Sequence, residues 1–313
     1  MPNKKNKDKT VYFIGGPTAV GKSLIGLFLA KRLNGEIVNC DSVQLYKYMD
    51  IGSAKPSKKE MQDIPHYLYG IVTPDYDMTV VKYQQLAFTV IDNIIARGKI
   101  PIVVGGTGLY MNSLLYDMSF SAKPKDPKRR LDLEALADKN GNQYLFELLS
   151  AVDPDAAARI HPNNRRKIIR AIEAYELGSS LKPMNKLKKN TKYNFRVIGL
   201  TMDRTWLYER INNRVVKLMN KGLLEEVQNL KKHGYDERYS SMKAIGYKEL
   251  FSYLRGECTL EEAIETIKTN TRHYAKRQLT WLKRYGDIHW IEIQKGQSVG
   301  NIVDKILAEF PEK

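Results

Sequence analysis

Cysteine is scarce in this sequence, since Cys40 and Cys258 are the only two among 313 residues. Two isolated cysteines exclude a disulfide framework and a cysteine-rich zinc site, and they are typical of a reducing, cytoplasmic setting. Long apolar runs are also missing, so we expect no membrane-spanning helix. The apolar stretch VYFI that follows the basic start is too short for a signal peptide. We therefore expect residues 1–9 to form a disordered leader.

Acidic residues are fewer than basic ones. The chain has 35 aspartates and glutamates against 51 lysines and arginines, which gives a formal net charge of +16. This charge favours a polyanionic partner such as nucleic acid, although a basic protein without such a partner has the same composition. Since no membrane span is expected, a soluble polyanion matches the charge better than a bilayer does. The hydrophobic content of 42% suffices for one large core, or for one core and a smaller domain.

Strand and helix patterns alternate in the first third of the chain. Three short runs rich in β-branched or aromatic residues, at 11–14, 36–40 and 100–104, predict buried strands. Helical patterns at 23–33 and 81–97 lie between them. This alternation predicts an α/β fold with a doubly wound parallel sheet, in which ligands bind at the carboxyl ends of the strands. A polar cluster follows each strand, so we expect the three clusters to meet in one crevice.

The composition changes over residues 119–194, which are charged, helix-forming and punctuated by proline. We predict a helical insertion domain at 119–194 and a core domain formed by 1–118 and 195–313. In the second part of the core, the patterns predict a strand at 195–202, one long amphipathic helix at 203–232, a helix at 260–285, a strand at 288–293 and a helix at 299–310. The lysine-rich stretch 181–192 is typical of a mobile surface segment.

A phosphate-binding loop, or P-loop, follows the first predicted strand. The run Gly16-Pro17-Thr18-Ala19-Val20-Gly21-Lys22-Ser23 matches G-x-x-x-x-G-K-[ST] between a strand and a helix. In such a loop the glycines let backbone amides face phosphate oxygens, and the helix N-terminus adds the positive end of its dipole. Lys22 neutralises charge, and the Ser23 hydroxyl can ligate Mg²⁺. The motif indicates a bound diphosphate or triphosphate but does not identify the reaction.

Two further clusters follow the second and third predicted strands. Asp41-Ser42-Val43-Gln44 places a carboxylate at a strand tip, where it can support Mg²⁺ through water, act as a general base, or simply cap a loop or helix. The run Gly105-Gly106-Thr107-Gly108 would let a substrate approach the backbone closely, although a glycine turn is equally a structural feature.

Four groups of basic residues are candidates for an anion-binding surface. They are residues 123–130, residues 165–170, the helix stripe Arg210, Arg214, Lys217 and Lys221, and residues 272–284. In the last group Ala275, Leu279 and Leu282 form an apolar seam, which leaves the cations on the remaining face. Each group alone is typical of a solvated helix face, but four groups on a chain of this charge favour an RNA or DNA track. Arg214 can instead hold a diphosphate in the crevice.

Together these residues resemble the tRNA dimethylallyltransferase family, also called the tRNA isopentenyltransferases. The matching motifs extend over nearly the whole chain and include GPTAVGKS at 16–23, DSVQ at 41–44, DIGSAKP at 50–56, GGTGLY at 105–110, AIGYKE at 244–249 and YAKRQLTW at 274–281. Ser53, Tyr67 and His273 depart from the residues that are usual in the family. These small departures affect only the fine detail of the substrate contacts.

The resemblance implies transfer of a dimethylallyl group from dimethylallyl diphosphate to the exocyclic amine of the adenosine on the 3′ side of the anticodon, in tRNAs that read codons beginning with U. It implies that Asp41 is the base, that Thr18 and Arg214 assist at the diphosphate, that residues 16–23 bind the donor, and that Ser23 ligates Mg²⁺. The implied tRNA contacts are Asp41, Ser42, Val43, Gln44, Thr107, Arg130, Arg166, Lys167, Arg170, Lys243, Gly246, Tyr247, Lys276, Arg277 and Gln278. The expected partners are the anticodon stem-loop of tRNA and the prenyl diphosphate, and the expected state is a cytoplasmic monomer without membrane contact.

Two other functions share part of this pattern. A small-molecule kinase of the shikimate kinase type also combines a P-loop, a strand-end aspartate and a glycine-rich third strand end, but it is commonly far shorter and needs neither the insertion nor the basic groups. An RNA-binding NTPase without transfer chemistry would use the same loop and the same basic surfaces, and it predicts nucleotide hydrolysis that RNA stimulates.

Overall fold

A computed structural model of the chain describes residues 9–118, 126–178 and 187–311. Residues 1–8 of the predicted leader and residues 181–186 of the lysine-rich stretch lie outside the described residues. The chain divides into two compact units. We call residues 1–115 with 190–313 the core unit and residues 116–189 the insertion unit; the sequence analysis placed the insertion at 119–194. No helix among the described residues is long and apolar enough to span a membrane.

The core unit is built on a six-stranded sheet. Its strands are β1 (Thr10–Gly15), β2 (Gly35–Cys40), β3 (His66–Tyr67), β4 (Ile100–Gly105), β5 (Asn194–Met202) and β6 (His289–Ile293). The order is β3-β2-β4-β1-β5-β6, and every neighbouring pair is parallel. The strands β1, β2 and β4 are buried along almost their whole length, as expected for a parallel sheet covered on both faces. The predicted α/β fold class with a parallel sheet is confirmed.

Strand order brings the three polar clusters together. Because β4 lies between β1 and β2, the segments that follow these strands are neighbours at one edge of the sheet. We call the space bordered by residues 16–23, 41–44 and 105–108 the crevice. The crevice lies where the sequence predicted a ligand site, at the carboxyl ends of the strands.

The helices are α1 (Lys22–Arg32), α2 (Lys58–Met61), α3 (Val80–Ala96), α4 (Gly108–Leu115), α5 (Pro127–Val152), α6 (Pro154–Ala157), α7 (Arg165–Glu176), α8 (Arg204–Asn220), α9 (Leu223–Lys232), α10 (Tyr247–Leu254), α11 (Leu260–Leu282) and α12 (Val299–Ala308). The prediction of one helix over 203–232 is wrong, because Gly222 separates α8 from α9. Gly222 has a φ of +96°, a left-handed conformation that glycine adopts most easily and that ends a helix.

The described part of the insertion unit is helical and has its own small core. α5 contains a break at Gly141, whose φ of +84° lies outside the helical region. The buried side chains come from α5, α6 and α7 and include Leu133, Leu145, Leu149, Ile168 and Ile172. Asn164 begins α7 by accepting a hydrogen bond from the backbone of Lys167. α7 therefore buries one face within this unit and leaves its basic side chains on the other.

Candidate active site

The P-loop connects β1 to α1. Ala19 and Gly21 take left-handed backbone conformations, with φ of +65° and +108°, and turn the chain into the helix. Gly21 caps α1 without a side-chain hydrogen bond, so the first amides of the helix stay open to an anion. A Cβ atom on Gly16 would lie 2.9 Å from Val20 Cγ1 and 3.1 Å from Leu200 O. A larger residue at position 16 would therefore displace the loop.

Lys22 folds back over this loop. Its Nζ donates hydrogen bonds to the carbonyl oxygens of Gly16 at 3.0 Å and Pro17 at 2.8 Å. Burial lowers the pKa of Lys22 to about 8, while the carboxylate of Asp41 opposes this decrease and Arg214 adds to it. A bound diphosphate would compensate the charge of Lys22 and raise its pKa again. Lys22 is thus a cation placed to respond to a phosphate ligand.

Asp41 lies at the tip of β2 and closes a turn. Its Oδ1 accepts hydrogen bonds from the backbone amides of Val43 at 2.9 Å and Gln44 at 3.4 Å. The side chain of Asn39 bonds to both the backbone N–H and the carbonyl of Asp41, so the turn is fixed on its inner side as well. The structure therefore shows the capping role, which uses Oδ1 and not the second carboxylate oxygen.

Helix α8 brings two arginines to the crevice. Arg210 Nε donates to the carbonyl oxygen of Ala19 at 2.9 Å and so supports the P-loop. Arg214, one turn later, is half-buried, and burial lowers its pKa while the nearby charge of Asp41 opposes the decrease. Within the described residues, its guanidinium has no hydrogen-bond partner. This position favours the alternative that Arg214 holds a diphosphate.

Ser23 and Asp41 provide oxygen atoms that suit Mg²⁺, which prefers hydroxyl, carboxylate and phosphate oxygens. Ser23 is exposed in the first turn of α1, and its hydroxyl makes no hydrogen bond to the residues that the structure describes. The Oδ2 atom of Asp41 is likewise without a hydrogen-bond partner in 9–118, 126–178 and 187–311. The donor atoms of Ser23 and Asp41 are therefore of the kind that Mg²⁺ prefers, and its binding here remains a prediction.

The glycine run after β4 is filled by protein side chains. A Cβ atom on Gly106 would lie 2.2 Å from Gln278 Nε2. A Cβ atom on Gly108 would lie 2.5 Å from the Trp281 ring. Both neighbours belong to α11, so the helix occupies the space that the sequence analysis also considered for a substrate. The geometry therefore supports the interpretation that residues 105–108 are glycine-rich to allow packing against α11, and not to admit a substrate.

Thr107 follows β4 and contacts both the segment after β2 and the helix α11. Its Oγ1 accepts a hydrogen bond from the Ser42 amide at 3.0 Å and donates to Ser42 Oγ at 3.3 Å. The Tyr274 side chain of α11 lies beside Thr107. Burial raises the pKa of Tyr274, and the charge of Asp41 raises it further. Tyr274 therefore lies close to Asp41, and α11 forms a wall of the crevice.

The predicted RNA contacts fall into three groups. The first group is exposed and consists of Arg166, Lys167, Lys243, Lys276 and Arg277. The second group is partly buried and consists of Asp41, Ser42, Val43 and Thr107 in the crevice, with Arg130 and Arg170 beside the buried carboxylate of Glu173. The third group is buried and consists of Gln44, Gly246, Tyr247 and Gln278. The exposed cations can reach a phosphate backbone without rearrangement. Their contacts with RNA remain predictions.

The structure buries Tyr247, for which the resemblance implied an RNA contact. Its side chain is 0% exposed, its ring packs on Gly52, and its hydroxyl donates to Glu226 Oε1 at 2.7 Å. This side chain packs in the core, and its contact with RNA remains a prediction. Glu226 also accepts hydrogen bonds from the backbone amides of Asp50, Ile51 and Gly52. This clamp on the segment after DSVQ was missed, because no sequence motif links residues so far apart.

Two other residues of the site were missed or only partly recognised. Asn39 is buried at the end of β2 and orients Asp41, and an amide directly before a strand-end carboxylate is the signal that could have found it. Arg210 was noted only as part of a basic stripe, although its spacing of four from Arg214 puts both on one helix face.

Comparison with known proteins identifies the family of the chain. Residues 44–285 match the model of the IPP transferase family. The tRNA dimethylallyltransferase of Alkaliphilus oremlandii is 48% identical over 304 residues, which cover 96% of this chain and 97% of the relative. The chain belongs to the tRNA dimethylallyltransferase family.

Solved structures of tRNA prenyltransferases are also similar. A tRNA isopentenylpyrophosphate transferase from Bacillus halodurans has a TM-score of 0.72 and 42% identity, with 97% of each chain covered. A eukaryotic dimethylallyltransferase acting on tRNA has a TM-score of 0.81 and 28% identity, with 97% of this chain and 81% of that chain covered. The resemblance to the tRNA dimethylallyltransferases is therefore confirmed, the chain is a prenyltransferase, and the kinase alternative is not favoured.

Proposed function

We propose that this enzyme transfers the dimethylallyl group of dimethylallyl diphosphate to the exocyclic amine of the adenosine 3′ to the anticodon, in tRNAs that read codons beginning with U. The names of the relatives support tRNA and a prenyl group as substrates. The observation that carries the proposal is that the cations Lys22 and Arg214 lie in one crevice with the carboxylate of Asp41. Asp41 alters the pKa of both Lys22 and Arg214, so the donor and acceptor chemistry share one location.

On the donor side, the C1–O bond of the prenyl diphosphate breaks, and its electron pair leaves on the diphosphate. The open amides at the start of α1, together with Lys22 and Arg214, stabilise this leaving group. When bound through Ser23, Mg²⁺ would supply further neutralisation of the diphosphate. Thr18 is placed at the beginning of the loop, where its side chain assists in holding the diphosphate or in positioning the acceptor.

On the acceptor side, an adenine amine attacks poorly because its lone pair is delocalised into the ring. We assign Asp41 as the general base, which takes the proton from the amine as the new C–N bond forms. The Oδ1 atom of Asp41 already accepts backbone hydrogen bonds, so Oδ2 is the oxygen available for the proton. The products are the alkylated adenosine and free diphosphate.

The target base is stacked in the anticodon loop, so it must leave the stack to reach the crevice. Residues 41–44 and Thr107 would receive it. The exposed cations of the core and insertion units would bind the RNA phosphates and orient the loop. In this proposal the insertion unit contributes to tRNA binding through α7.

The enzyme is proposed to act as a cytoplasmic monomer. All groups assigned to the reaction come from the core unit of one chain, so the chemistry needs no second subunit. Light scattering of the purified protein, with and without RNA, tests the monomer. A stable dimer that alone retains activity would contradict it.

The decisive assay combines the enzyme, Mg²⁺, radiolabelled dimethylallyl diphosphate and an unmodified anticodon stem-loop RNA. We expect the label to appear in the RNA. A matched RNA with inosine at the target position lacks the exocyclic amine and should remain unlabelled. If the label enters neither RNA while the protein phosphorylates a metabolite with ATP, the kinase alternative would replace the proposal. RNA-stimulated ATP hydrolysis without labelling would instead favour the RNA-binding NTPase.

A further inference from the structure

Gln278 lies inside the core unit between the P-loop and the end of β4. Its Oε1 accepts a hydrogen bond from the backbone amide of Thr18 at 2.8 Å, and its Nε2 donates to the carbonyl oxygen of Gly106 at 3.0 Å. The side chain is only 5% exposed. One buried amide therefore joins backbone groups of two separate crevice segments.

The contacts of Gln278 require both halves of the amide. The carbonyl oxygen can only accept and the NH₂ group can only donate, so rotation of the amide would oppose like groups at both ends. Gly106 makes this contact possible, because a Cβ atom there would lie 2.2 Å from Nε2. Gln278 and Gly106 thus form a matched pair between α11 and β4.

The same face of α11 also contacts the acceptor side of the crevice. Tyr274, one turn before Gln278, lies beside Thr107, and Thr107 Oγ1 accepts a hydrogen bond from the Ser42 amide next to Asp41. Residues four positions apart lie one above the other on a helix. One helix turn of α11 therefore spans the separation between the P-loop and the Asp41 side.

We propose that Gln278 is a positioning residue for the transfer reaction, which fixes the P-loop relative to the Asp41 and Thr107 side of the crevice. The proposal rests on the proposed function and replaces the RNA contact expected for Gln278 from the sequence. The cations next to it, Lys276 and Arg277, are exposed and remain candidates for RNA binding. The buried and exposed faces of α11 then have different tasks.

Two variants of full-length enzyme test this role in single-turnover and steady-state labelling of the stem-loop RNA. Gln278→Met keeps the length of the side chain and removes both hydrogen bonds. A small displacement of reacting groups has a large effect on rate, so we expect kcat to fall about 100-fold. The KM values for RNA and donor should change by less than about threefold, since the groups that bind them remain. Thr280→Ala, an exposed change on the same helix, is the matched control and should leave kcat unchanged.

Gln278→Glu separates the two hydrogen bonds. A protonated glutamic acid can donate to Gly106 O and accept from Thr18 N, whereas an ionised one repels the carbonyl oxygen of Gly106. Burial favours the protonated form. We expect the kcat of this variant, relative to wild type, to rise as the pH falls from about 8 to about 6, by at most roughly tenfold per unit.

The outcomes are distinguishable. Failure of wild-type enzyme to label the RNA would contradict the proposed function itself. If wild type is active and Gln278→Met keeps its kcat within about twofold, the positioning role is wrong. A loss confined to the KM for RNA would return Gln278 to the RNA surface and also overturn the proposal. If Gln278→Met does not fold, as shown by circular dichroism, Gln278→Glu decides, and a pH-independent ratio to wild type rejects the role.

Discussion

The crevice of the core unit and the basic helix α7 of the insertion unit both present cations, but they hold them in different surroundings. Lys22 and Arg214 are half-buried, and burial lowers the pKa of each. Arg166 and Lys167 on α7 are exposed, where water and salt screen their charge. A buried cation is costly until an anion arrives, whereas an exposed cation gains affinity mainly by releasing counterions from RNA. Substitutions in the two regions should therefore be distinguishable by rate, pH and salt.

The sharpest contrast is expected from Asp41→Asn. The amide keeps an oxygen that accepts from Val43 and Gln44, so the turn survives, but the side chain can no longer take a proton. We expect the single-turnover rate to fall by about 10²–10⁴-fold. RNA affinity, measured by filter binding, should stay within about threefold of wild type. A comparable loss of rate and RNA affinity would assign Asp41 a purely structural role.

The pH dependence of donor binding tests the crevice cations. With a pKa of about 8 in the ligand-free enzyme, Lys22 is charged below that pH and loses its proton above it. A bound diphosphate raises this pKa, so binding above pH 8 requires uptake of a proton and weakens as the pH increases. We expect the donor Kd to be flat below about pH 8 and to rise by up to about tenfold per unit above it.

Lys22→Met is the control for this profile, because methionine has no proton to gain. Its donor binding should be weaker and should lose the rise above pH 8 that the Lys22 pKa predicts. Calorimetry with dimethylallyl diphosphate and Mg²⁺ at several pH values measures the donor Kd of wild type and variant and its dependence on pH. An unchanged alkaline profile in Lys22→Met would assign the titration to another group.

The sequence predicted the sheet and the P-loop well because both depend on local patterns. Short apolar strands that end in glycine or polar residues predict a parallel sheet, and the carboxyl ends of its strands lie at one edge. The strand order, which places β4 between the strands of Asp41 and the P-loop, comes from the structure. The break at Gly222 was less predictable, since one glycine within a helical pattern is compatible with either a continuous or a divided helix.

Burial of polar side chains was the harder problem. The family resemblance implied RNA contacts for Tyr247 and Gln278, whose motifs also contain cations. Glu226, the partner of Tyr247, lies 21 positions away in the chain. Thr18 and Gly106, the partners of Gln278, lie 260 and 172 positions away. These pairings are revealed only by tertiary packing. Sequence periodicity predicts which face of an amphipathic helix a side chain is on. It does not predict which distant residue forms a hydrogen bond with that side chain.

The double variant Arg166→Ala and Lys167→Ala tests the role of the exposed cations on α7. These two are better targets than Arg170, which lies 3.8 Å from the buried carboxylate of Glu173. We expect roughly tenfold weaker RNA binding at low salt and a salt slope reduced by about 1–2, because up to two phosphate contacts are lost. Donor binding should not change.

The matched control for α7 removes Lys295 and Lys305, which are exposed and are not among the predicted RNA contacts. It lowers the net charge by the same amount and should leave the salt slope nearly unchanged. If both double variants flatten the slope equally, RNA binding depends on overall charge and not on α7.

The smallest effect on RNA binding is expected at Tyr247. The resemblance implied an RNA contact for this residue, but the structure buries its side chain in the core. Tyr247→Phe keeps the ring on Gly52 and removes the hydrogen bond to Glu226, so the free energy of unfolding should fall by about 1–2 kcal/mol. RNA affinity should be unchanged, since the residue is 0% exposed.

Lys243→Ala is expected to have the opposite effects. It should weaken RNA binding without altering the free energy of unfolding, because its side chain is exposed. Urea unfolding and filter binding of both variants decide between the two assignments, and weaker RNA binding by a fully stable Tyr247→Phe would place the tyrosine back at the RNA surface.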